Sequence, residues 1–249
     1  MRAAWDITEE DVQRWTEFVK NNENKPLPRK RYLRNVKRVD IDLSRKAIWK
    51  AIVGCQVTTQ QRSGPGSNVS KFLDSDSSVL DPSACRKSKN LPRLIADECA
   101  KAGLRRGNNV SDYLGRIFDY LESSGWRELT AQLETLSSHT TLKKERAVVS
   151  YILDEKKFPG LGQKQARNFI QWLGLSRYEI PIDSRVLKCM KQMGANLVPK
   201  AAALTDESVY LFVQDALQEV ARKIQIYPCQ LDACIFASFD IDKDEDAGD

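Results

Sequence analysis

The stretch FPGLGQKQARNFIQWLGL, residues 158–175, with EIPIDSRVLKCM, residues 179–190, shortly after it, decides how this chain is read. Pro159-Gly160-Leu161-Gly162 reads as a tight hairpin. Each glycine reaches backbone angles closed to other residues, and Leu161 between them can plug the junction of two helices. The first of those helices is expected to end at Lys156 and Lys157, and the second to start at about Gln163. The hairpin's N–H groups and the positive end of the second helix point the same way, which makes an anion site suited to one phosphate. Lys164 falls in the first turn of that helix. Asp183 follows it by nineteen residues, the span of one helix and a return loop, and can cap a further helix ahead of Val186 and Leu187.

Working outward, almost every periodic segment has helical spacing, and no run alternates as a strand would, so the fold is expected to be all-α. Thr8 opens a capping-box pattern, with Asp11 three residues on, before a helix that puts Val12, Trp15 and Val19 on one face and ends near Asn21 and Asn22. Residues 25–38 hold seven Lys or Arg and two prolines and read as a basic connecting segment rather than a helix. Ser44 caps the next helix, whose stripe Ile48, Ile52 and Cys55 runs into Gln56-Val57-Thr58-Thr59-Gln60-Gln61 and stops at Ser63-Gly64-Pro65-Gly66-Ser67. Further helices are expected over 91–102, 109–123, 126–136 and 142–156. A late one carries Val209, Phe212, Val213, Ala216, Leu217 and Val220, capped from Thr205 or Asp206.

Composition narrows the partners. The formal charge of +5 understates the basic excess, because residues 240–249 hold six acids and one lysine; without them the excess is ten. Such an excess suits a polyanion, most commonly nucleic acid, or an ordinary solvated surface, and charge alone does not separate the two; the acidic segment reads as a disordered tail. No window approaches the roughly 18 apolar residues of a membrane span. Cysteines 55, 85, 99, 189, 229 and 234 show no paired framework, and the N-terminus carries no apolar export signal, so a reducing cytoplasm is expected.

Over residues 146–192 the pattern resembles the helix-hairpin-helix motif with its Gly/Pro…Asp loop, the signature of the DNA glycosylase superfamily that includes endonuclease III and the 8-oxoguanine DNA glycosylases. A weaker likeness at Ile52 to Gln61 and at Ala102-Gly103-Leu104 extends it over residues 44–192. The resemblance implies a glycosylase core at 44–192, with 1–43 and 193–239 as a flanking helical part. It implies two closely packed helical subdomains with the active site between them, acting as a monomer in the cytoplasm, at the nucleoid in a bacterium or archaeon. Members with a lysine at the start of the second hairpin helix remove a base and also break the strand, and Lys164 stands there; Asp183 in Ile180-Pro181-Ile182-Asp183 matches the family's essential aspartate. The partner implied is double-stranded DNA with a damaged base, 8-oxoguanine first, contacted by Gly160, Leu161, Gly162 and Gln163; Arg185 is a candidate for phosphate or for plain solvated surface. Gln56 and Gln60, in the tract that runs to Gln61, either fill the gap left by an extruded base or belong to a polar helix end. Many endonuclease III relatives bind an iron–sulfur cluster through four closely spaced cysteines after the aspartate. Only Cys189, Cys229 and Cys234 follow it here, and no Cys-x-x-Cys pair exists, so no metal or cofactor is expected and the cysteines read as small buried apolar residues.

The residue types suit the chemistry without the family. Positive charge builds on the sugar as a base leaves, and a carboxylate that stays ionised lowers that barrier. An amine that attacks C1′ must be neutral, and a helix start beside Lys164 favours loss of its proton; Asp183 is also able to accept it. Two other readings stay open at this point. In one, Lys164 is a phosphate contact in a glycosylase that uses water; in the other, the whole hairpin is a binding module without chemistry. A carboxylate near phosphates would serve a binding module poorly, which favours the catalytic pair. Phe236 and Phe239 are candidates to stack on an extruded base or to fill the core, Lys188 is a further candidate for phosphate, and His139 reads as structural.

Overall fold

Thr8 begins the first helix, α1 (Glu9–Asn22), through the capping box the sequence predicts: Asp11 N–H donates to the Thr8 hydroxyl, and the Asp11 carboxylate accepts from Thr8 N–H. Trp15 and Val19 are its buried face. The structure, a computed structural model, describes residues 5–239, among which there are helices and turns and no strand. The acidic tail at 240–249 lies outside the described residues. Among them no helix is long and apolar enough to cross a membrane.

Residues 25–38 correct the sequence reading, because they form α2 (Pro26–Arg31) and a π-helical turn, Tyr32–Val36, rather than an irregular connection. Both prolines lie in the first turn of α2, where a missing N–H breaks no intrahelical bond and the fixed φ suits the helix. Arg29, Lys30 and Arg31 fill the last turn, where the helix dipole favours positive charge.

The chain divides by its contacts into two compact units. One comprises the described residues up to Val39 together with those from Arg177 onward; the other is Asp40–Ser176. The second unit holds α3 (Arg45–Val57), α4 (Asn68–Leu73), α5 (Pro82–Lys87), α6 (Leu91–Lys101), α7 (Gly107–Tyr120), α8 (Trp126–Ser137), α9 (Leu142–Ile152) and α10 (Gln163–Trp172). Its core gathers Ile48, Trp49, Ile52, Leu114, Ile117, Leu133, Phe169 and Ile170. α3 and α10 approach so closely at Gly54 that a Cβ there would lie 1.9 Å from the Trp172 ring, so no larger residue fits. α9 ends four residues earlier than its periodicity predicts. The Asp154 carbonyl accepts Lys157 N–H and Phe158 N–H at 2.9 and 2.8 Å, and its side chain accepts Lys156 N–H, so a local turn replaces the last helical turn.

In the first unit, α1 and α2 pack with α11 (Ser184–Gln192), α12 (Glu207–Lys223) and α13 (Pro228–Ala237) around Trp15, Val186, Leu187, Tyr210, Val213, Leu217, Leu231 and Ile235. Residues 177–192, which the motif resemblance joins to the stretch before them, belong to this unit. α13 escaped the sequence reading because eight of its ten residues are buried and no polar face gives it a period.

Candidate active site

The hairpin is built from the back. The Gln56 amide, at the end of α3, donates to the Pro159 carbonyl at 2.8 Å and is buried at 4 % exposure. Gln56 therefore shapes the hairpin and does not face solvent. Gly160 has φ +76°, and a Cβ there would meet Tyr113 Cδ2 at 2.5 Å, so both the angle and the space demand glycine. Gly162 departs from the sequence reading: its φ of −74° and ψ of −172° are ordinary extended backbone, and a Cβ there meets nothing within 4 Å. Leu161 is buried at 1 %, the plug its position predicts.

α10 thus starts from an exposed N-cap, Gly162, with no side-chain cap. Gln163 is half-buried, with Arg167 Nη1 donating to its side-chain oxygen at 2.7 Å. Lys164, half-buried in the first turn, is close enough to Cys55 of α3 that its charge opposes the strong upward push that burial gives the Cys55 thiol. One residue on, Gln165 Nε2 donates to Thr59 Oγ1 at 2.9 Å and lies 3.4 Å from Thr58 Oγ1. The Gln-Thr-rich end of α3 is therefore the bracing of the hairpin and of the first turn of α10. Only Gln60 of the two predicted glutamines is exposed, held at φ +58°, a conformation rarely taken by non-glycine residues.

Asp183 belongs to the other unit and is the N-cap of α11. Its Oδ1 accepts Arg185 N–H at 2.9 Å and Val186 N–H at 3.3 Å. The extended segment ahead of it is clamped by one face of α12. Tyr210 hydroxyl accepts Ile182 N–H at 2.6 Å and donates to the Ile180 carbonyl at 2.8 Å. Gln214 accepts Ile180 N–H at 3.2 Å and donates to Glu179, and Gln218 donates to the Tyr178 carbonyl. Sequence reasoning missed this clamp, although three polar residues at four-residue spacing on an apolar helix were its visible trace.

Arg185 and Lys188, read as phosphate contacts, both lie over aromatic rings: the Arg185 guanidinium carbon is 3.9 Å from the Phe236 centroid, and Lys188 Nζ is 5.5 Å from that of Phe239. Arg185 also donates to Asp183 Oδ2 through Nη2 at 3.0 Å and Nε at 3.3 Å. His139 is exposed, and its carbonyl accepts Lys144 Nζ. All six cysteines are buried free thiols. Among the described residues no group of three or more His, Cys, Asp or Glu is placed to hold a metal ion.

The sequence matches no family model, and no curated protein matches it. Solved structures do. The 8-oxoguanine DNA glycosylase of Thermotoga maritima aligns with a TM-score of 0.68 at 15 % identity, over 92 % of this chain and 97 % of that one. The 8-oxoguanine DNA glycosylase of Methanocaldococcus jannaschii aligns with a TM-score of 0.64 at 15 % identity, over 90 % and 91 %. A complex of the M. jannaschii 8-oxoguanine glycosylase/lyase with a 15mer DNA containing 8-oxoguanine aligns with a TM-score of 0.63 at 12 % identity, over 90 % and 96 %. The chain has the all-helical fold of these glycosylases.

Proposed function

We propose that the chain is a DNA glycosylase with abasic-site lyase activity, acting on a damaged base in duplex DNA, 8-oxoguanine first among the candidates. The observation that carries this reading is the place of Lys164. It lies in the first turn of a helix whose N-cap, Gly162, is exposed and carries no side-chain cap, directly after a hairpin braced by Gln56 and Tyr113. A phosphate held by first-turn N–H groups would bring the sugar of a neighbouring nucleotide within reach of that amine. The likeness in fold to glycosylases of oxidised guanine, one of them described as a glycosylase/lyase, supports the same reading.

In the proposed reaction Lys164 Nζ, as the neutral amine, adds to the sugar C1′ while the bond to the base breaks and the base leaves with its electron pair. One N–H proton then passes to the ring oxygen as the C1′–O4′ bond breaks, which gives a protonated imine between Lys164 and C1′, and the departed base takes a proton from water. Loss of a C2′ proton from that imine expels the 3′ phosphate by β-elimination. Asp183, as an anion, stabilises the positive charge that builds on the sugar as the base departs.

Borohydride trapping tests the reading on duplexes carrying 8-oxoguanine, uracil, thymine glycol or an abasic site, with Lys164→Gln in parallel. A covalent adduct that needs Lys164 is the expected result, and the duplex that yields it names the base. Base release without an adduct would make water the nucleophile and Lys164 a phosphate contact. Binding without base release would leave a module with no chemistry.

A further inference from the structure

The start of α11 holds more than a capped helix. Asp183 Oδ1 is occupied by the N–H groups of Arg185 and Val186, and Oδ2 by the side-on fork of Arg185, Nη2 at 3.0 Å and Nε at 3.3 Å. The guanidinium plane is taken up as well, 3.9 Å from the Phe236 centroid on α13. The Asp183 side chain is 15 % exposed and that of Arg185 39 %. An arginine two residues after a helix cap would ordinarily extend into solvent, free to meet a phosphate. Here both its donor edge and its flat face are engaged within its own unit.

Four hydrogen bonds on two oxygens suit a carboxylate and not a carboxyl group. A proton on either oxygen would turn an acceptor into a donor and face it with a cation or an N–H. We propose that Arg185 is a positioning residue: gripped between Phe236 and Asp183, it holds the carboxylate as a fixed anion, so that Asp183 works by electrostatic stabilisation rather than as a proton acceptor. This rests on the role given to Asp183 above. It also changes the part read for Arg185 in the sequence, from contacting DNA to orienting the carboxylate. A lysine at 185 would keep the charge and lose the planar fork and the stacking, so charge alone replaces only part of the function.

The test measures single-turnover base release from a duplex carrying 8-oxoguanine, and the affinity for the same duplex across a salt series, in wild type, Arg185→Met and Arg185→Lys. The expected result is a loss of about tenfold or more in the single-turnover rate for Arg185→Met, with affinity and its salt dependence unchanged. Arg185→Lys should recover part of the rate, and it carries the test if Arg185→Met does not fold. A normal rate with weaker binding and a salt slope reduced by about one overturns the proposal and makes Arg185 a phosphate contact. A second readout needs no activity: thermal melting of Asp183→Asn, Arg185→Met and the double variant. A combined shift smaller than the sum of the single shifts shows the pair is coupled, and additive shifts overturn it. Should the wild type release no base from any duplex, the proposed function fails, while the melting cycle still decides whether Arg185 grips Asp183.

Discussion

Two helices of this chain begin from extended N-caps that differ in φ, −74° at Gly162 and −134° at Asp183, and carry opposite chemistry. Gly162 and Asp183 are both extended N-caps, with ψ of −172° in each. α10 is left without a side-chain cap and with open space where a Cβ would be. α11 is closed by a carboxylate that takes two of its N–H groups and the fork of Arg185. Replacing a good cap by glycine costs only a few tenths of a kcal/mol, so stability alone hardly distinguishes the two arrangements. What distinguishes them is the acceptor each is built for. The open start suits an anion from outside, a phosphate, while the closed start supplies its own anion and keeps it in one place.

The largest effect that bears on this contrast is expected from Lys164→Gln. The variant keeps the open helix start and loses the amine, so the borohydride adduct should disappear while duplex binding falls little. An adduct that persists would move the nucleophile to another residue. Asp183→Asn comes next. Asparagine caps a helix as well as aspartate does, so α11 should survive while the fixed negative charge is lost. Base release should fall about a hundredfold or more, with duplex binding kept or strengthened, and single-turnover kinetics beside a binding curve would read both. Equal activity in wild type and Asp183→Asn would leave Asp183 as a cap only. Gly160→Ala should act on the fold under the open start. At φ +76°, with Tyr113 Cδ2 2.5 Å from the added carbon, it should lose about 2 kcal/mol or more in urea denaturation.

How much of this was legible in the sequence follows from how local each feature is. The hairpin, the start of α10 at Gln163 and the Asp183 cap are read from neighbours within four residues, and each lies where that reading puts it. Within the hairpin the reading assigned special backbone to two glycines, and only Gly160 has it; Gly162 is distinguished by the space around it, which no local pattern reveals. The prolines of 25–38 read as breakers in the sequence, because only the position of the helix start shows that they fall in its first turn. The Tyr113 wall behind Gly160 and the clamp of Tyr210, Gln214 and Gln218 on residues 178–182 join residues about thirty or more positions apart. Only tertiary packing brings those together. The Gln56 tract had the opposite fate: its residue types invited a contact with DNA, and the structure spends Gln56 on the Pro159 carbonyl and Thr59 on Gln165.

The finest test of the contrast is to give α10 the kind of cap that α11 has. Gly162→Asp is compatible with the existing backbone, since φ −74° and ψ −172° lie where N-cap residues normally are and the new side chain meets no neighbour within 4 Å of its Cβ. Its carboxylate would accept first-turn N–H groups as Asp183 does, and the protein should gain a few tenths of a kcal/mol, or at least lose none. The same carboxylate would stand where a DNA phosphate is expected, and two like charges at one helix start repel. Affinity for undamaged duplex should therefore fall about tenfold or more, and the loss should shrink as salt is added. Gly162→Ser separates the two contributions, because it caps without charge and should fall between wild type and Gly162→Asp in binding. A Gly162→Asp protein that is as stable as wild type and binds duplex just as well would show that the open start of α10 takes no phosphate. The difference between the two helix starts would then be one of sequence only, and Lys164 would need another way to reach its sugar.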